Sequence, residues 1–126
     1  LSFGNLLSSA KEVAEELDAT LVNMRFIKPL DDQLIIEMAN HYELIVTLEE
    51  NAVQGGAGSA VNELIACHGI SKQILNLGLP DRFVEHGRPD EMLKECGLSA
   101  EGILSSIKNR QDSACALLQP VAKPAR

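Results

Sequence analysis

Apolar positions alternate between two regimes along the chain. Some are short runs of consecutive apolar or β-branched residues; others recur at three- and four-residue steps, the spacing of a helix face. Leu1-Ser2-Phe3 is an apolar stub that ends at Gly4-Asn5, the profile of a strand entering a turn. Ser9 and Glu12 have capping-box spacing and predict a helix through Leu17 with Val13, Ala14 and Leu17 on one face. Ala19 to Ile27, above all Thr20–Ile27, predicts a second strand, broken by Pro29. Asp31 or Asp32 then caps a helix whose apolar stripe is Leu34, Ile35, Met38 and Tyr42. Leu44 to Leu48 is apolar almost without interruption, as strands buried on both faces are. After Gly55-Gly56-Ala57-Gly58-Ser59 a helix is expected to run to His68 with Val61, Leu64 and Ile65 inward and Gly69 as its stop. Ile74 to Leu77 predicts a fourth strand, followed by a loop from Gly78 to Gly87. A short helix from Pro89 to Cys96 ends at Gly97, and Ser99 caps a last helix with Ile103, Leu104 and Ile107 facing in.

The order β α β α β α β, then two helices, is that of a parallel α/β sheet covered on both faces. With 126 residues the chain is too short for an eight-unit barrel, so the expected fold class is a three-layer α/β/α open sheet, mostly parallel. The periodic pattern supports one domain over 1–110. From 111 to 126, where Pro120 and Pro124 bracket a mildly apolar stretch, the expectation is a mobile tail.

Charge narrows the function. Eleven Lys and Arg against 18 Asp and Glu leave a net charge of −7, which argues against nucleic acid as a partner. Aromatic residues are 3% of the chain, too few for a base-stacking platform. No apolar run approaches the roughly 20 residues of a membrane span, so no membrane association is expected. The first residue is Leu1 rather than Met and no signal-peptide pattern follows, so the expectation is a soluble piece of a longer chain. Three cysteines, Cys67, Cys96 and Cys115, at wide spacing point to a reducing cytoplasm rather than a disulfide framework. Cys67 reads as a small buried hydrophobe, Cys96 as partly buried and Cys115 as a tail thiol. Cys67-His68 is a poor metal pair because helix neighbours point about 100° apart.

In open α/β sheets ligands collect beyond the C-terminal strand ends. Three segments fall there: Gly4-Asn5, Glu49 to Ser59, and Gly78 to Gly87. In the second, Gly55, Gly56 and Gly58 precede a helix whose free N–H groups have the makings of an anion cradle. Against a cradle stand the absence of Lys and the repulsion expected from Glu49 and Glu50, and the favoured reading is tight packing or docking. Glu49 and Glu50, consecutive at a strand end, should point to opposite sides and need not act as an acid/base pair. His86, between Glu85 and Gly87, reads as a structural hydrogen-bonding residue of its loop. His41 and His68 suit helix C-termini, and Arg25, in a predicted strand, calls for a carboxylate partner. No triad, metal set or cofactor fingerprint is complete.

Three segments nonetheless resemble a known family. Asn23-Met24-Arg25-Phe26-Ile27-Lys28-Pro29-Leu30-Asp31, Thr47-Leu48-Glu49-Glu50-Asn51-Ala52-Val53-Gln54-Gly55-Gly56-Ala57-Gly58-Ser59 and Leu77-Gly78-Leu79-Pro80-Asp81-Arg82-Phe83-Val84-Glu85-His86-Gly87 occur in this order and spacing in the C-terminal domain of 1-deoxy-D-xylulose-5-phosphate synthases, a transketolase-like group. The resemblance runs from Leu1 to about Arg110. It implies a transketolase C-terminal-like sheet with its N-terminal strands truncated, Leu1–Phe3 lying centrally between Thr20–Ile27 and Leu44–Leu48. It also implies a parent enzyme of the bacterial cytoplasm that condenses pyruvate with glyceraldehyde 3-phosphate, with thiamine diphosphate and Mg²⁺ held by upstream domains. No cofactor or metal is then expected on this chain, and no catalytic residue transfers to it. Its implied role is packing against those domains and homodimerisation. Glu49, Glu50, Asn51, Gly55, Gly56, Gly58 and His86 are the interface or crevice candidates. The alternatives left open are the same domain of another transketolase or of a 2-oxoacid dehydrogenase β-subunit, or a stand-alone assembly module.

Overall fold

The computed structural model describes residues 1–117. The sheet has three parallel strands, β1 (Ser2–Phe3), β2 (Leu44–Ala52) and β3 (Gln73–Leu79), in the order β1-β2-β3. Five helices surround it: α1 (Leu7–Leu17), α2 (Asp32–His41), α3 (Ala57–Cys67), α4 (Pro89–Glu95) and α5 (Ala100–Leu117). A single 3₁₀ turn, Gly4–Leu6, joins β1 to α1, with Gly4 at φ +81°.

Two apolar clusters lie on opposite faces of the sheet. One joins Phe3 and Ile45 to Ile35 and Ala39 of α2 and to Val61 and Ile65 of α3. The other joins Leu48 to Ala10 and Val13 of α1 and to Ile103 and Ile107 of α5. Successive strand residues feed opposite clusters, as the two-residue period of a strand requires. This is the expected α/β/α sandwich with mostly parallel strands. Ile35, Val61, Leu98 and Ile103 are fully buried, each contributing about 1.5–3 kcal/mol through removal from water.

The predicted strand at Thr20–Ile27 is corrected to a single bridge, Asn23 beside Ser2. Ser2 N–H donates to Val22 O and Met24 N–H to Ser2 O, both at 2.9 Å. A ladder grows only as far as its partner, and β1 offers two residues. Beyond it, Arg25 takes a left-handed φ of +49° and Phe26 N–H turns back to Met24 O. Arg25 is exposed, and none of the ion pairs among the described residues provides its expected carboxylate. The segment does flank β1 on the side away from β2, so β1 is central as anticipated.

Helix termini follow local chemistry, with one exception. Asp31 Oδ1 accepts from Leu34 N–H at 3.1 Å and Ser99 Oγ from Gly102 N–H at 3.2 Å, both caps as expected. At the end of α3, Gly69 at φ +64° lets Ile70 N–H reach Ile65 O at 3.1 Å. The exception is the capping box: α1 starts at Leu7, Ser9 lies inside it, and no side chain caps that end. The 3₁₀ turn has already set the helical path. Tyr42 lies past α2, its hydroxyl 2.5 Å from Thr20 Oγ1. Helix α5 continues to Leu117, past the expected edge of the folded unit; the rest of the expected tail, 118–126, lies outside the described residues, as does the side chain of Cys115. Cys67, expected buried, is exposed, because it follows the buried Ile65 by two positions and so points away from it; Cys96 is half-buried.

Candidate functional site

The C-terminal end of the sheet is shaped by an irregularity in β2. Leu48 pairs with Leu77 and Ala52 with Leu79, so Glu49, Glu50 and Asn51 stand opposite Gly78 alone. The expected loop after Leu48 is therefore a bulged continuation of the strand. A Cβ on Gly78 would lie 2.7 Å from Asn51 O and 3.0 Å from Glu49 Cγ, so only a glycine leaves room for the bulge.

The bulge aims Glu49 inward. Its side chain, 3% exposed, accepts Ala57 N–H on Oε2 at 2.7 Å and Gly58 N–H on Oε1 at 2.9 Å. These are two orphan donors of the first turn of α3, whose N-cap, Gly56, has no side chain to offer. A carboxylate here also meets the positive end of the helix dipole. A Cβ on Gly56 would collide with Glu49 Oε2 and come within 2.5 Å of Ala52 O. The glycines therefore do form an anion cradle, and the anion is the chain's own Glu49. Glu49, expected at a crevice or interface, is corrected to an internal cap, and its expected repulsion of an anion is replaced by occupation of the site.

Next to the cap runs a polar chain between the sheet and α3. Asn62 Nδ2 donates to Asn76 Oδ1 at 2.8 Å, and Asn76 Nδ2 donates to the buried Thr47 Oγ1 at 2.6 Å. A Cβ on Gly58 would lie 2.5 Å from both Thr47 Oγ1 and Asn76 Nδ2. Sequence reasoning missed Thr47, Asn62, Asn76 and Gly78. The available signal was the polar Asn76 inside the apolar run Ile74–Leu77. The loop before α3 is pinned by Ser59, whose hydroxyl accepts Gly55 N–H at 3.0 Å and donates to Val53 O at 3.1 Å, with Gly55 at φ +73°.

The other candidates face outward. Glu50, Asn51 and Gly55 are exposed, whereas the neighbouring Glu49 is buried. His86 is exposed in the loop between β3 and α4; among the described residues no hydrogen bond or ion pair holds it, so its expected structural bond is absent. Arg82 of that loop meets Glu95 at 4.0 Å rather than its neighbour Asp81. His41 and His68 end α2 and α3, their Nδ1 atoms 2.8 Å from Glu37 O and 3.0 Å from Leu64 O.

The site therefore gathers Glu49, Gly56 and Gly58 into one closed unit and leaves Glu50, Asn51, Gly55 and His86 on the surface. Thiamine diphosphate would need free donors for its diphosphate, and those of α3 are taken by Glu49. Mg²⁺ would need a set of oxygen ligands, and among the described residues no three His, Cys, Asp or Glu side chains are placed to share a metal. At the start of α3, therefore, the residues present do not fit either group. Phe83 (102% exposed) and Phe26 (68%), with Ile27, carry large apolar surface in the loops that leave this end. Among the described residues no helix is long and apolar enough to cross a membrane.

Comparison with known proteins agrees with this geometry. Residues 1–103 match the family described as "Transketolase, C-terminal domain". The chain is 57% identical over 110 residues to the 1-deoxy-D-xylulose-5-phosphate synthase of Pseudomonas entomophila, covering 87% of this chain and 17% of that protein. It is 54% identical over 114 residues to the synthase of Chromohalobacter salexigens, covering 90% and 18%. A solved structure described as "Split gene transketolase, inactive beta4 tetramer" superposes with a TM-score of 0.78 at 30% identity, covering 86% of this chain and 37% of that one. The chain thus spans less than one fifth of the length of these synthases. Its match over 1–103, together with the parallel sandwich just described, makes the chain a member of the transketolase C-terminal domain family.

Proposed function

We propose that the chain is the C-terminal domain of a bacterial cytoplasmic 1-deoxy-D-xylulose-5-phosphate synthase, acting as a packing and dimerisation module. The observation that carries this reading is the 57% identity to synthases, against 30% to the transketolase of similar fold. The whole enzyme would condense pyruvate with glyceraldehyde 3-phosphate, release CO₂ and supply isoprenoid, thiamine and pyridoxal synthesis. Its thiamine diphosphate, with Mg²⁺, would supply the carbanion chemistry from upstream domains. This chain's share is structural: the Glu49 cap stiffens the loop before α3, and Phe26 and Phe83 offer aromatic anchors of the kind that dominate interfaces.

A chimera tests the assignment. Residues 1–110 replace the matching segment of the Pseudomonas aeruginosa synthase. The reading expects a soluble homodimer that forms 1-deoxy-D-xylulose 5-phosphate. A soluble, dimeric chimera without synthase activity would overturn it. Calorimetry on the 126-residue chain should show no thiamine diphosphate binding, and stoichiometric binding would contradict the division of labour.

A further inference from the structure

β3 ends the sheet: its only strand partner among the described residues is β2. Two hydrogen bonds fix which of its main-chain groups face outward. Leu79 O accepts Val53 N–H at 3.1 Å, so the odd-numbered residues face β2. Ile74 O accepts from Arg110 Nη2 at 2.8 Å, so the even-numbered residues face away. Ile74, Asn76 and Gly78 therefore present their N–H and C=O groups at the margin of the sheet. Outside the β2 ladder, no hydrogen bond among the described residues uses the main-chain groups of Asn76 or Gly78. A cavity of about 450 Å³ lies along this margin, with Asn62, Asn76, Arg110 and Ser113 in its lining. A margin of this kind is a template for another strand.

The margin is also complementary to itself. An antiparallel copy of β3 centred on Asn76 would set Asn76 against Asn76 of the second copy and Ile74 against its Gly78, each pair exchanging main-chain bonds. That alignment uses every outward group from Ile74 to Gly78. On the α1–α5 face it would set Leu75 against Leu77 of the second copy, and both leucines are half-buried here.

Arg110 stands against this pairing. Its guanidinium, reaching from α5, takes the Ile74 carbonyl that Gly78 of the second copy would need. In a two-fold pair the same contact recurs on the other chain, so both ends of the ladder are closed and only the central Asn76 pair is left. No carboxylate lies within ion-pair distance of Arg110 among the described residues, and the strand carbonyl is its protein partner. Lys72, just before β3, adds a second cation, its Nζ 2.8 Å from Tyr42 O. Cationic side chains are a common means of blunting an exposed strand.

We propose that Arg110 guards the edge of β3: by holding the Ile74 carbonyl it keeps the strand from pairing with β3 of a second copy into one continuous sheet. Every group involved belongs to this chain, so the guard does not depend on the synthase reading. It is also separate from the exposed loops of Phe26 and Phe83.

Arg110→Ala and Arg110→Gln, made in the full 126-residue chain, each remove the guanidinium from an exposed position. Both variants should keep the circular-dichroism spectrum of the unmodified chain. Light scattering should show a species of twice the unmodified mass, and hydrogen exchange at the Asn76 and Gly78 amides should slow by about tenfold or more. In the unmodified chain these two amides should exchange rapidly. Folded variants at the unmodified mass overturn the proposal. So does a rise in mass with both amides still exchanging rapidly, which would put the contact elsewhere. Loss of the fold in both variants would make Arg110 a structural residue, and slow exchange at both amides before any substitution would show the edge already covered; either result overturns the guard.

Discussion

Glu49 Oε1 lies 2.9 Å from the Gly58 amide nitrogen, so a strand residue caps a helix that begins eight positions later. The cap works because the bulge turns Glu49 toward the helix and Gly56 leaves space for its carboxylate. Replacing Glu49 by Ala removes the acceptor of two buried N–H groups. Urea unfolding should show a loss of about 2–4 kcal/mol. Glu49→Gln, which keeps the shape but offers one acceptor, should lose about 1–3 kcal/mol.

Gly58→Ala tests the packing of the same unit. Alanine in a helix is ordinarily better than glycine by about 1 kcal/mol. Here its methyl would sit 2.5 Å from Thr47 Oγ1 and Asn76 Nδ2, and the balance should reverse to a net loss of about 1–3 kcal/mol. Gly55→Ala meets no atom within 4 Å, so only the cost of its left-handed backbone, about 1–2 kcal/mol, should appear. Thermal melts of the two variants would separate collision from conformation.

Glu50→Gln and His86→Ala should leave the melting curve of the 126-residue chain within about 0.5 kcal/mol of the unmodified one, since both residues are exposed. A larger change would mean that the outward candidates hold the fold itself.

Much of the architecture was legible because its causes are local. The uninterrupted Leu44–Leu48 run, Asp31, Ser99 and Gly69 each carry their own signal. What was not legible depends on partners. Thr20–Ile27 has strand composition, but β1 is too short to extend its ladder. Glu49-Glu50-Asn51 looks like a solvated loop, and nothing in those letters shows that Gly78 across the sheet permits a bulge. The acceptor role of Glu49 has no sequence signature, because its partners are backbone amides. Cys67 looked apolar by type, whereas helix phase decides its exposure.

The chain from Asn62 through Asn76 to Thr47 also bears on how the sheet finds its pairing. β2 and β3 are apolar on both faces along most of their overlap, so greasy side chains alone would accept several alignments. Asn76 breaks that degeneracy. A slip of β3 by one residue would turn its amide into the Leu48–Leu75 side, stranding it and Thr47 without partners. Two hydrogen bonds thus act as an alignment mark that fixes β3 against β2 in a single pairing.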